Sequence, residues 1–297
     1  SRDRMADRFS EYKEGYDYTF VKYDAADSEA AASLKESASY HDVKVDYIIH
    51  GAGNADPAKI SSEPVETMLA NILGLRSIIE SVDRESLKRV LYISSSEVYG
   101  LNEKEEPYRE EQLGYLDILN SRNSYPSSKR ATETLCISYA EEYGLETVIV
   151  RPGHIYGPTI KENDSRASAL FSLKAAKGED IVMKSPGQQI RSYCHVLDCA
   201  SAMLTVLIKG QNKEAYNISA SISIVTIRQM AEAFAKAGDV GIVSDIPTAS
   251  ETKTYNKMPC SALNSEKLEA LGWKAHYSME AGAKQTVDML REIAADS

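Results

Sequence analysis

The sequence predicts an α/β fold: a doubly wound parallel sheet with a smaller C-terminal lobe interleaved with it. Three observations carry this. Short runs rich in Val, Ile, Tyr and Thr alternate with longer segments of helical spacing over the first two-thirds of the chain. After about residue 158 the elements become shorter and more mixed. No Pro/Gly/Ser-rich linker divides the two regions, so the second is a lobe rather than a separate bead.

In order, residues 18–23 (YTFVKY), 45–50 (VDYIIH), 89–94 (RVLYIS) and 147–151 (TVIVR) read as strands. Residues 28–39, 64–82 and 127–143 carry apolar side chains at helical spacing between them. Strands joined through helices give parallel pairing with right-handed crossovers. Beyond 158, a helix is expected over 167–177, a strand over 181–184 and a helix over 196–208. The domain boundary falls at 158, giving 1–158 and 159–297, with parts of 190–225 returning to the first domain. Residues 102–112 are strongly charged and read as a solvated loop.

The composition narrows the function. The chain has 297 residues, 43% hydrophobic and 26% charged, which suits a globular enzyme. Lys and Arg number 34 against 44 Asp and Glu, a net charge of −10. Such a surface repels phosphate backbones and anionic lipid, which argues against nucleic acid or a membrane as a general partner. No apolar run approaches the roughly 20 residues of a membrane span, and the opening SRDRMADRF has no signal-peptide core. Cys136, Cys194, Cys199 and Cys260 form no CxxC or Cys/His cluster, so they read as reduced thiols of a cytoplasmic protein with no metal site. His41 and His276 are expected at the surface, and His195 in a structural place beside a core segment.

In doubly wound sheets ligands bind at the carboxyl ends of the strands. That directs attention to Asp24 and to residues 51–54, 94–97 and 152–157. The most informative motif is Tyr125-Pro-Ser-Ser-Lys129. A Tyr and a Lys four apart share one helix face. A phenol of pKa near 10 is a poor base at neutral pH, and a nearby ammonium lowers that pKa. The pair can then exchange the proton of a sugar hydroxyl during hydride transfer. About 30 residues earlier, Ser94-Ser95-Ser96-Glu97 follows a strand, where a helix cap is the plainer role. Together with Tyr125, Lys129 and the later Arg151-Pro152-Gly153-His154-Ile155-Tyr156-Gly157-Pro158, the order is more than a cap would require.

These ordered motifs resemble the extended short-chain dehydrogenase/reductase family, the NAD-dependent nucleotide-sugar epimerases, dehydratases and decarboxylases. The resemblance covers nearly the whole chain and implies a Rossmann-like domain with a substrate-binding lobe after residue 158. It implies that Ser95, Tyr125 and Lys129 form the catalytic triad. It implies that Asp24, Ala25, Gly51, Ala52, Gly53, Asn71, Tyr125, Lys129 and Pro152 contact the cofactor, NAD. The sequence Ser95-Ser96-Glu97 is similar to that of UDP-glucuronate decarboxylases and of GDP-mannose 4,6-dehydratases. Arg122, three positions before Tyr125, and the stretch 129–136 favour the decarboxylases. The implied route oxidises C4 to a β-keto acid, releases CO₂ and re-reduces the ketone, giving UDP-xylose, with Ser96 and Glu97 moving protons. A 4-epimerase or 4,6-dehydratase is the alternative, and a non-catalytic cofactor-binding protein a third. Arg191, in a substrate loop over 187–193, would contact the diphosphate, for which a planar bidentate donor suits. His154 stands where the family usually has Asn, and 164–166 reads Asp-Ser-Arg in place of Asp-Gly-Arg, so the sugar substrate could be an unusual one. The family also implies a homodimer built on 64–82 and 127–143.

One family motif is missing from the text. The Gly-rich GxxGxxG turn that holds the pyrophosphate does not occur. The resemblance therefore places this sequence roughly 35–40 residues into the family pattern, about one βαβ start. A fold without that start should show a bare sheet edge. Arg2 and Arg4 near the missing acidic residue leave NADP open as the cofactor.

Overall fold

The computed structural model describes residues 9–27, 30–36, 44–101, 106–160, 162, 164–245 and 259–295. They fall into two compact units. One holds the described residues up to Val90 together with Asp117–Thr147, the other Leu91–Leu116 and the residues from Val148 onward.

The first unit runs through α1 (Ala30–Glu36), β1 (Tyr47–His50), α2 (Pro57–Ser62), α3 (Pro64–Ser81), the opening of β2 (Arg89–Ile93) and α4 (Ser124–Tyr143). Local chemistry explains the ends. Asp56 accepts from the Ala58 N–H at 2.9 Å and Pro57 opens α2, while Pro64 opens α3. Gly144, at φ 69°, ends α4 by donating its N–H back to Ala140 at 3.1 Å. α3 packs along α4, and α1 packs on α3. The backbone N–H of Lys88 donates to Asp46 and that of Val90 to Glu146, which sets β2 between β1 and the start of the next strand.

The second unit contains the rest of β2, then β3 (Thr147–Pro152), β4 (His154–Tyr156), α5 (Ala167–Ala176), β5 (Ile181–Met183), β6 (Ile190–His195), α6 (Val196–Lys209), β7 (Glu214–Ile218), β8 (Ile224–Thr226), α7 (Ile227–Gly238), β9 (Ile242–Ser244), β10 (Cys260–Ser261), α8 (Glu266–Glu269) and α9 (Met279–Ala295). β2, β3 and β7 are neighbours in that order, and β3 runs parallel to β7 from Val148 opposite Glu214 to Pro152 opposite Ile218. α6 covers this sheet, burying Cys199, Ala202 and Val206 against Val148, Val150 and Ile218. A second small sheet centres on β6, which pairs in parallel with β4 and β10 and antiparallel with β8. α5, α7 and α9 pack on one another. α7 begins with a capping box between Thr226 and Gln229.

The sheets and their helices make the predicted α/β, Rossmann-like fold. The strands expected over 45–50, 89–94, 147–151 and 181–184 are present within a few residues, as are the helices over 64–82, 127–143, 167–177 and 196–208. Two expectations are corrected. Residues 18–23 form no strand; only Tyr18 makes a bridge, with Glu14. A strand needs a neighbour for its N–H and C=O groups, and among the described residues none lies beside 19–23. The stretch 187–193 is not wholly loop: from Ile190 it is β6, whose place between β4, β8 and β10 satisfies its backbone. The helix over 28–39 is described only as Ala30–Glu36. The charged stretch 102–112 is anchored rather than free where it is described, because Tyr108 is buried and bridges to Leu263.

Among the described residues, β1 pairs only with β2. Ile48 and His50 point into the unit, while Tyr47 and Ile49 remain 48% and 46% exposed. Among the described residues no helix is long and apolar enough to cross a membrane, and no group of His, Cys, Asp and Glu could hold a metal ion. All four cysteines are buried free thiols, His195 is buried and His276 is exposed. His41 lies outside the described residues.

Candidate active site

In the first unit, the N-terminal half of α4 carries Tyr125 and Lys129 on one face, both buried at 7% and 4% exposure. The Lys129 Nζ lies 5.6 Å from the centroid of the Tyr125 ring. Between them in sequence, Ser128 donates its hydroxyl to the Tyr125 carbonyl and accepts from Asn71 Nδ2 at 3.1 Å. Asn71 also donates to the Thr67 carbonyl at 3.0 Å, so α3 holds its amide against α4. Burial lowers the Lys129 pKa to about 8, and the carboxylate of Glu133 one turn on opposes that loss. His50, at the end of β1, is lowered to about 4 by burial and by the nearby Lys129 charge, so it stays neutral.

Two glycines, Gly53 in a turn and Gly74 within α3, mark close approaches around this cluster. A Cβ on Gly53 would come within 2.9 Å of Asn71 Oδ1 and 3.8 Å of Lys129 Nζ. A Cβ on Gly74 would meet the Ala25 Cβ at 3.0 Å and the His50 ring at 3.3 Å. So Gly53, Asn71 and Lys129 lie together, and Ala25, His50 and Gly74 lie together. Asp24 is exposed and accepts from the Ala26 N–H at 3.0 Å, while Gly51 is exposed and Ala52 half-buried. Arg122 is exposed in the single turn Ser121–Asn123, which Asn120 caps. Arg2 and Arg4 lie outside the described residues.

In the second unit, Ser95 caps the turn Ser96–Tyr99 by accepting from the Glu97 N–H at 3.2 Å. The cap role is therefore real. It uses a lone pair and leaves the O–H to donate elsewhere. Ser96 is half-buried and Glu97 exposed. Their loop is held from behind by a buried network. Tyr99 Oη donates to Asn217 Oδ1 at 2.6 Å and accepts from Arg151 at 3.1 Å. Asn217 in turn donates to the Tyr108 carbonyl at 2.9 Å. Burial pushes the Tyr99 phenol up to about 12, which keeps it a donor. Pro152 closes β3, and two residues on, His154 opens β4. Arg191 is buried in β6 and donates to the Ile190 carbonyl at 2.8 Å.

Sequence reading passed over two features of this region, Ser219 and the Tyr99–Arg151–Asn217 network. Ser94 Oγ and Ser219 Oγ are buried with no hydrogen-bond partner, just beyond the ends of β2 and β7. Ser94 lies within the Ser-Ser-Ser-Glu motif, but Ser219 sits in no recognisable pattern. The Tyr99–Arg151–Asn217 network joins residues too far apart in the chain for spacing to reveal.

The first-unit cluster fits the hydroxyl-rich end of a dinucleotide. An ammonium and an amide line a backbone turn at Gly53 that any side chain would fill. The second unit supplies orphaned hydroxyls at the carboxyl ends of parallel strands, where ligands bind in such sheets.

A parallel α/β sheet with a buried Tyr–Lys pair defines a class, and the comparisons give it a family. Residues 2–219 match the NAD dependent epimerase/dehydratase family, to which the chain belongs. It is 28% identical over 252 residues to UDP-glucuronic acid decarboxylase 1 of Xenopus tropicalis, covering 84% of this chain and 58% of that one. It is 26% identical over 284 residues to the dTDP-D-glucose 4,6-dehydratase of Mus musculus, covering 93% of this chain and 74% of that one. Its fold matches UDP-glucose 4-epimerase of Thermotoga maritima, crystallised with UDP-glucose, at a TM-score of 0.78 and 23% identity, covering 99% of this chain and 94% of that one. The chain spans 58% and 50% of the lengths of two UDP-glucuronic acid decarboxylases that it matches.

Proposed function

We propose that the chain converts a nucleotide sugar by oxidation at C4, and that UDP-glucuronate is its substrate and UDP-xylose its product. The observation that carries this is the buried Tyr125–Lys129 pair, packed with Asn71 beside the Gly53 turn. The decarboxylase relatives support the choice of sugar.

NAD, when bound, supplies the acceptor for the C4 hydride and later returns it. Tyr125 takes the C4 hydroxyl proton, with the Lys129 ammonium beside it favouring the phenolate. Ser95 donates its O–H to the C4 oxygen. The C4 ketone then accepts the electron pair left when the carboxylate departs as CO₂. Ser96 and Glu97 deliver the proton that C5 needs. Tyr125 returns its proton to the C4 oxygen when the ketone is reduced. Asp24, Ala25, Gly51, Ala52, Gly53, Asn71 and Pro152 are proposed cofactor contacts, and Arg122, His154 and Arg191 substrate contacts. Residues 1–158 would serve the cofactor and 159–297 the sugar nucleotide.

A 4,6-dehydratase is the second reading. It is favoured by Glu97 and by the mouse dehydratase, whose match covers more of this chain than the frog decarboxylase does. A panel of UDP-glucuronate, dTDP-glucose and UDP-glucose with NAD⁺, read by NMR, separates the outcomes. CO₂ with a UDP-pentose supports the proposal; loss of water from dTDP-glucose, or inversion at C4 of UDP-glucose, with UDP-glucuronate untouched, overturns it. We also propose a cytoplasmic homodimer joined through α3 and α4, supported by the exposed Val65, Met68 and Leu69 on α3. A monomer by light scattering would contradict it.

A further inference from the structure

Among the described residues, one imidazole sits in an unusual setting. His154 opens β4 opposite Tyr193 of β6, and the two rings lie 5.5 Å apart at 56°. Strand alternation puts Arg191, two residues before Tyr193, on the same face of β6, diagonal to His154. Arg166, the residue before α5, is also close enough for its charge to act on the ring. The Nδ1 of His154 is buried and has no hydrogen-bond partner.

Among the described residues, the following titratable and charged groups stand close to this ring. From β6 come Arg191, the Ser192 backbone and the phenol of Tyr193, which burial pushes up to about 12. On β4 itself, Tyr156 keeps its proton because burial raises it. Before α5, Asp164 pairs with Arg166 through bonds of 3.0 and 3.1 Å to its Nε. No carboxylate pairs with His154 itself among these groups. Burial and the two guanidiniums hold its pKa at about 4, so the ring is neutral at physiological pH.

A neutral imidazole with an orphaned buried nitrogen, within reach of the charge of two guanidiniums, is poised to respond to an anion. A bound phosphate group offsets the guanidinium charges and offers Nδ1 an acceptor, and both effects favour the imidazolium. We propose that His154 recognises the diphosphate of the nucleotide sugar by taking up a proton as that ligand binds. This rests on the nucleotide-sugar reading of the same site. It makes His154 a specificity-determining residue that adds a positive charge only when a polyanion is present.

The test measures binding of UDP-glucuronate by calorimetry from pH 6 to pH 8, in buffers of different ionisation enthalpy. This probe's own groups hold their charge across that range. The wild-type chain should take up a substantial fraction of a proton near pH 6, and its affinity should weaken as pH rises, by up to about tenfold per unit where uptake is complete. His154→Asn and His154→Gln should bind with little proton uptake and a flatter pH profile. Binding by the wild type with no proton uptake overturns the proposal and leaves the nucleotide-sugar reading intact. The same uptake in a folded variant also overturns it. No binding of any nucleotide sugar by the folded wild type overturns both.

Discussion

At the scale of single residues, the account turns on how burial treats charge. Lys129 is buried yet keeps a pKa of about 8, because Glu133 partly offsets the desolvation. The ammonium proposed to favour the Tyr125 phenolate is therefore present below about pH 8 and is lost above it. The rate of C4 oxidation should fall as pH rises through that region. Glu133→Gln removes the offsetting charge, so the fall should move to lower pH while turnover near pH 6 changes less; a pH–rate profile of both proteins checks this. Asn71 is fixed by bonds to Thr67 and Ser128. Asn71→Leu breaks both and leaves Ser128 without that donor, a loss of about 1–3 kcal/mol of stability measurable by urea unfolding. The residues of this cluster were legible early, since Tyr125 and Lys129 announce themselves by spacing. Ser219 was not, because a lone Ser after a strand has no pattern to give it away.

At the scale of elements, close approaches set what each position tolerates. α9 passes so near β4 that a Cβ on Gly282 would lie 1.9 Å from Tyr156 Oη. Gly282→Ala should therefore destabilise the second unit by about 1–3 kcal/mol, although Ala is the better helix former. Thermal unfolding would show it as a lowered midpoint, and Tyr156→Phe combined with it should recover part of the loss. The helices and central strands could be read from sequence because their periodicity is intrinsic: α3 and α4 match their predicted spans to within a few residues. The family resemblance implied a loop over 187–193, and the local pattern there does not mark β6 as a strand. Its strand character comes from three neighbours distant in sequence. The failed strand at 18–23 teaches the converse, since a good β pattern without a partner has nowhere to place its hydrogen bonds.

At the scale of the whole molecule, two histidines tie stability to pH. His50 and His154 each fall from an ordinary 6.5 to about 4 on folding. Between those values the unfolded chain binds more protons than the folded one, so stability rises with pH over that window and is lost as pH drops toward 4. The shift amounts to on the order of 3 kcal/mol for each His. The urea midpoint should fall steeply from pH 6.5 to pH 4.5, and less steeply in His154→Asn. The family could be read from the order of the motifs, but the reaction could not, because decarboxylation, dehydration and epimerisation share the first step at C4. The most direct test is therefore to incubate the chain and its Tyr125→Phe variant with NAD⁺ and UDP-glucuronate, counting released CO₂ and identifying the sugar nucleotide. The proposed chemistry predicts CO₂ and UDP-xylose from the wild type, and a loss of about 10²-fold or more in the folded variant. UDP-glucuronate recovered unchanged from the wild type, or equal CO₂ release by Tyr125→Phe, would contradict it.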